Sequence, residues 1–124
     1  MSFSDLLAKI VEECGGGIGV ALMGVDGIPI QQVMASEPAV ALDAEDVSAA
    51  GVEFGRILDE IGKASDSLGG GALGETVVRL ARFTLIFHVV DAENFLVLAI
   101  APDGNLGKAR YLIRSQLHAL RDLF

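Results

Sequence analysis

Hydrophobic and polar positions alternate between two periods along the chain, and this switching predicts eight elements. Leu6, Leu7, Ile10, Val11 and Cys14 recur at helical spacing after Ser2-x-x-Asp5, which reads as a capped amphipathic helix stopped by Gly15-Gly16-Gly17. Ile18–Val25 is an uncharged run expected to be covered on both faces, and Ile28–Met34 follows it across Asp26-Gly27, a signal for a two-residue type I′ hairpin turn. Pro29 cannot donate to a ladder, so the second strand is expected at a sheet edge. A linker, Ser36–Leu42, leads to a second helix over Asp43–Ser65, with Asp43 as cap and Glu45 and Asp46 suited to its positive end.

Past Gly69-Gly70-Gly71 the period changes to two. Leu73–Leu80 sets Glu75, Val77 and Arg79 opposite Thr76, Val78 and Leu80, which reads as a strand with one wet face. Phe83–Val90 and Phe95–Ala101 are nearly continuous apolar runs, as central strands are. The turns at Ala81-Arg82 and Asp91–Asn94 are short enough to require antiparallel hairpins. Pro102-Asp103-Gly104-Asn105 turns into a last helix, Leu106–Phe124. The order αββαβββα predicts an α+β fold: one domain over residues 1–124, with a five-stranded antiparallel sheet and helices on both faces. No internal repeat is visible.

The two long helices carry further pattern. On the second, Val47, Ala50, Phe54, Ile57, Leu58 and Ile61 share an apolar face, and Gly51, Gly55 and Gly62 form a line along its flank. Each helical glycine costs ~1 kcal/mol relative to alanine, so three in a line imply that a bulky group or backbone approaches there. That group belongs either to the chain's own sheet or to a second copy. The opposite face bears Ser48, Arg56, Asp59, Glu60 and Lys63. On the last helix Arg110, Arg114 and Arg121 line up beside the apolar face, as snorkelling side chains or as a docking surface for an acidic partner.

Composition changes the picture in two ways. The 124 residues are 52% hydrophobic, yet the longest run without a charge, Cys14–Val25, has 12 residues, and a membrane-spanning helix needs ~20. The excess is therefore expected inside protein, part of it at a subunit interface. The net charge of −8 and the lack of tryptophan argue against a nucleic-acid binder. Charge is unevenly placed: residues 1–103 hold 5 basic and 16 acidic side chains, and residues 104–124 hold 4 and 1. The single Cys14 excludes an internal disulfide, and Met1–Lys9 lacks the signature of a secretory signal, so a cytoplasmic location is expected.

Candidate chemistry is sparse. Gly69–Thr76 nearly spells a phosphate-binding P-loop, but Glu75 stands where lysine is needed, and a helix precedes and a strand follows, the reverse of that motif's context. Cys14 lies on an apolar stripe, as a small buried hydrophobe does. His88 sits in an apolar strand, and His118 lies about 120° around the last helix from Leu106. No metal-ligand spacing and no G-x-S-x-G elbow occur. The expectation is a chain without catalytic, metal or cofactor-binding residues.

Gly24-Val25-Asp26-Gly27-Ile28-Pro29-Ile30 and Asn105-Leu106-Gly107-Lys108-Ala109-Arg110-Tyr111-Leu112, with the element order, resemble the roadblock family of dynein light-chain type, in its bacterial branch similar to MglB. The resemblance runs from about Phe3 to Phe124. It implies a non-enzymatic homodimer in which the third strand and second helix meet their equivalents across a two-fold. Carried onto this chain, the expected interface is Gly51, Phe54, Gly55, Leu58, Ile61, Gly62, Thr76 and Val78. It also implies a small Ras-like GTPase as partner, whose hydrolysis is accelerated by reorganising its own active site, so Arg56, Arg79 and Arg110 are not assigned as an arginine finger. The exposed Arg56, Asp59, Glu60 and Lys63 are the candidate partner-binding residues. A roadblock-type scaffold without GTPase activation and a small-molecule sensor domain are the alternatives. No nucleic-acid or membrane partner is expected.

Overall fold

The computed structural model describes residues 1–38 and 40–124; Ala39, within the Ser36–Leu42 linker, lies outside the described residues. The elements are α1 (Phe3–Glu13), β1 (Gly17–Gly24), β2 (Pro29–Met34), α2 (Ala44–Leu68), β3 (Glu75–Arg79), β4 (Thr84–Val89), β5 (Asn94–Ile100) and α3 (Leu106–Asp122). All four strand pairings are antiparallel, in the order β2-β1-β5-β4-β3. The α+β architecture and its order are those the pattern predicts, with β2 at an edge and the uncharged β1, β4 and β5 in the middle.

Each helix begins where local chemistry satisfies its free N–H groups. Ser2 and Asp5 form a reciprocal capping box on α1, and Asp43 and Asp46 form one on α2 (2.9 and 3.1 Å). The Ser2 backbone N–H, then its hydroxyl, hold the Asp5 carboxyl below its ordinary pKa. Asn105 Oδ1 accepts the Lys108 N–H at 3.0 Å to start α3. Helix α2 runs three residues past its expected end at Ser65, because Gly69 takes the left-handed conformation (φ 68°) that closes it.

Alternating side chains divide the sheet between two cores. Val20, Leu22, Ile86, Leu96, Leu98 and Ile100 face α1 and α3; Ile18, Ala21, Met23, Leu85, Phe87, Phe95 and Val97 face α2. Every residue of β1 is buried. Gly17 is required here, because a methyl group on it would fall onto the Val11 carbonyl oxygen and sit 3.0 Å from Cys14 Sγ. Gly17→Ala is therefore expected to cost about 3 kcal/mol, read as a lower denaturant midpoint at unchanged slope.

Two expectations are corrected. The β1–β2 hairpin is not a two-residue type I′ turn, which needs positive φ at both central residues. Only Gly27 has positive φ (89°); its N–H donates to Gly24 O at 3.0 Å, and the Gly24 N–H donates to Ile28 O at 2.9 Å. The loop is thus Val25-Asp26-Gly27, with Asp26 Oδ1 accepting the Ile28 N–H at 3.1 Å, and Val25 is exposed rather than covered. Strand β3 is shorter than Leu73–Leu80 and has no wholly wet face: Val77 packs toward α1 and α3, Val78 toward α2. Ile57 and Ile61, at the far end of the apolar wheel face, are exposed on the single chain, because α2 packs on β1, β5 and β2 and outruns the sheet below it.

Candidate interaction surface

Helix α2 and the β3 edge carry most of the residues singled out from sequence. Phe54 and Leu58 are half-buried against the α2-side core, and the Phe54 ring lies 5.5 Å from that of Phe87. Beside them an open groove of about 270 Å³ runs between Leu42, Ala50 and Phe54 on one side and Phe83, Leu85 and Ala99 on the other, with Asp46 and Glu53 at its rim. Farther along the helix Ile57 (52% exposed), Ile61 and Leu68 continue the apolar surface. Thr76 and Val78 stand on the free β3 edge.

The glycine line divides. A methyl at Gly51 would sit 3.1 Å from Met23, and one at Gly55 3.4 Å from Phe95 Cζ, so these two glycines seat α2 on the chain's own sheet. Gly51 is buried within the chain, which removes the reason to assign it to contact with a second copy. A methyl at Gly62 would meet nothing within 4 Å.

Arg56, Asp59, Glu60 and Lys63 are exposed together on the outer face of α2, and pairs within the helix tie them. Arg56 reaches Glu53 at 2.5 Å; Lys63 reaches Asp59 at 3.2 Å and Glu60 at 3.4 Å. Bonding to Asp59, then the charges of Asp59 and Glu60, hold Lys63 above its ordinary pKa. Such exposed pairs add little stability.

The arginine stripe of α3 is largely internal in use. Arg110 Nε meets Glu75 at 2.5 Å, tying α3 to β3, and Arg121 Nε donates to Val90 O at 2.5 Å. Snorkelling describes these two, while Arg114 stays exposed. His88 Nδ1 lies 3.0 Å from Val89 O. Ser65 Oγ donates to Gly71 O at 2.7 Å, so the glycine-rich segment is a helix-to-strand connection.

Cys14 is buried, and burial raises its thiol pKa, which keeps it protonated at neutral pH. A thiol-disulfide reagent is expected to label it at least ~100-fold more slowly in native protein than in denaturant. Among the described residues no group of three or more His, Cys, Asp or Glu is placed to hold a metal ion. Among the described residues no helix is long and apolar enough to cross a membrane.

Sequence reasoning missed Ile57 and Leu80 as exposed apolar side chains, and Phe83 and Leu85 as groove walls. It also missed a second apolar patch at the other sheet edge: Val25 (66% exposed), Ile28 (62%), Ile30 and Val52. The signal was present, since Val25, Ile28 and Ile30 flank a turn, where side chains are seldom covered.

Edge strands and uncovered apolar surface flanking a two-sided core define a class of protein-association module. No family model matches the sequence, and no curated protein does. Solved structures do. MglC from Myxococcus xanthus is 31% identical, with 100% of each chain covered and a TM-score of 0.70. A Roadblock/LC7 domain from Streptomyces avermitilis is 15% identical over 98% of this chain and 97% of its own, TM-score 0.83. The gliding protein MglB from Thermus thermophilus is 17% identical over 96% and 85%, TM-score 0.82. The last two share the fold; the first shows the family. The chain belongs to the roadblock family, in its MglB-like branch, and is a roadblock-type regulator or scaffold domain.

Proposed function

We propose that the chain is a cytoplasmic, non-catalytic homodimer that regulates a small Ras-like GTPase as its activating protein. The reading is carried by the whole-length likeness to MglC at 31% identity, and the α2–β3 surface supports the dimer. Strand β3 reads Glu-Thr-Val-Val-Arg, which is self-complementary when two copies run antiparallel about Val77: Glu75 of each copy then stands opposite Arg79 of the other. The same two-fold brings a second α2 toward the groove beside Phe54. Phe54, Leu58, Ile61, Gly62, Thr76 and Val78 make this contact, and Gly55 borders it. Arg56, Asp59, Glu60 and Lys63 face outward from the dimer, toward the GTPase.

Activation is expected as faster GTP hydrolysis when the chain is mixed with small Ras-like GTPases from the same cell, followed as phosphate release. Loss of the acceleration on Arg56→Ala with Lys63→Ala, at unchanged dimer mass, would assign the face. A dimer that binds none of these GTPases and leaves hydrolysis unchanged overturns the regulator reading. A second reading, a dimeric scaffold that binds without activating, draws on the intrahelical pairing of Arg56 and Lys63, whose cations are already engaged. The same assay separates the two: binding without acceleration selects the scaffold.

A further inference from the structure

Helix α3 is charged unlike the rest of the chain. Residues 104–124 hold 4 basic side chains and 1 acidic, in a chain of net charge −8. Two of the four serve the fold: Arg110 pairs with Glu75, and Arg121 donates to the Val90 carbonyl. Lys108 and Arg114 are exposed and make no salt bridge among the described residues. Arg56 and Lys63 of α2 show the opposite case, both neutralised by acids of their own helix. With 17 acidic side chains in the sequence, composition does not force unpaired cations onto one face.

Helix stability does not explain these charges either. Helices α1 and α2 carry Asp5 and Asp46 at their third position, where a carboxylate suits the positive helix end. At that position α3 carries Lys108, and its first turn has no acid. Three residues on, Tyr111, the only tyrosine of the chain, is 63% exposed, and Arg114 follows at the same interval. Ser115 and His118 continue this outer face, four and seven residues after Tyr111. Tyrosine and arginine are the side chains enriched at the centres of protein contacts. Asp122, the one acid of the helix, stands at its far end, 3.5 Å from His118 Nε2.

We infer that the outer face of α3, built of Lys108, Tyr111, Arg114, Ser115 and His118, docks an acidic polypeptide segment of a partner protein. Lys108 and Arg114 lie about 9 Å apart along the helix axis, which about three residues of extended chain span. Carboxylates separated by two residues therefore meet both cations, and an apolar side chain between them lies on the Tyr111 ring. The neighbouring helix selects among anionic partners. Helix α1 packs beside α3 and exposes Asp5, Glu12 and Glu13. At the usual helix separation of about 8–10 Å, these carboxylates lie about one Debye length away. A flat anionic bilayer or a nucleic-acid duplex covers both helices and is repelled by them; one chain laid along α3 is not. Because α3 and α2 cover opposite faces of the sheet, the site is separate from the α2–β3 dimer contact and does not rest on the GTPase reading.

Fluorescence anisotropy with the full chain tests this. The probe is a labelled peptide of about twelve residues in which pairs of glutamates alternate with leucine, and its control has glutamine for every glutamate. The acidic peptide is expected to bind at least ~10-fold more tightly than the control and to lose that advantage in about 1 M salt. Lys108→Glu with Arg114→Glu is expected to weaken it at least ~30-fold, and Tyr111→Ala about 5-fold. These side chains are exposed, so helix content by circular dichroism is expected to match wild type.

Equal binding of the two peptides, or an acidic-peptide affinity that survives the double reversal, overturns the proposal. So does binding of vesicles with about one-third anionic phospholipid in place of the peptide, which would make the face a membrane contact. Self-association of wild type that the double variant loses, without peptide binding, would give the face to a second copy and overturns it equally. Loss of GTPase acceleration in the double variant, with no peptide bound by wild type, would move the GTPase contact to α3. Phosphate release reads the regulator reading separately, so either can fail alone.

Discussion

Phe87→Ala is expected to destabilise the fold by about 3–5 kcal/mol, the cost of removing a large buried aromatic side chain. Phe87 is 1% exposed on a central strand, between Thr76 of β3 and Val97 of β5. Its ring is the middle of three, 5.5 Å from Phe54 and 6.4 Å from Phe95. Truncation removes burial and both ring contacts together. Collapse around the vacancy is limited, because Phe95 and Leu85 are fixed on strands. For a domain of this size the melting temperature should fall by about 10–20 °C, and Phe87→Leu should cost about 1–2 kcal/mol. Chemical denaturation of both variants at one protein concentration measures the difference, since dimer formation would couple stability to concentration. A loss below about 1 kcal/mol for Phe87→Ala would mean that the aromatic trio does not hold α2 to the sheet.

How legible this was depends on which residues are asked. Period-two and period-three-to-four patterns place the elements because they record which face each element buries. The uncharged runs through β1, β4 and β5 require cover on both sides, which explains why the central strands could be named. Gly51 and Gly55 show the limit. Their spacing announces a close neighbour but not its owner, and the structure supplies Met23 and Phe95 of the same chain. Ile57 and Ile61 show another: a helical wheel gives direction around an axis, not where the surface below the helix ends. Asp26-Gly27 marks a hairpin, but the choice between a two- and a three-residue loop depends on the Asp26 side chain reaching the Ile28 N–H. At the candidate site, the exposure of Arg56, Asp59, Glu60 and Lys63 follows from the wheel. The engagement of both cations within the helix depends on side-chain conformations that spacing only permits.

Ile61→Asp is expected to weaken self-association by at least ~100-fold, equivalent to about 2.7 kcal/mol, while leaving the isolated fold intact. Ile61 is 38% exposed, so its replacement removes little from the chain's own core. In a two-fold dimer through α2 each substitution acts twice, burying two carboxylates in an apolar contact without cationic partners, which is costly unless they protonate or the contact opens. The neighbouring charges deepen the effect: α2 already holds Glu53, Asp59, Glu60 and Asp66 against Arg56 and Lys63. Ile61→Ala removes area without adding charge, and its effect should be roughly tenfold or less. Light scattering across a dilution series reads both variants, and far-ultraviolet circular dichroism checks that helix content is kept. An Ile61→Asp protein that keeps the wild-type dimer mass at about 1 µM would place the two-fold away from α2. It would also take the groove beside Phe54 out of the dimer contact.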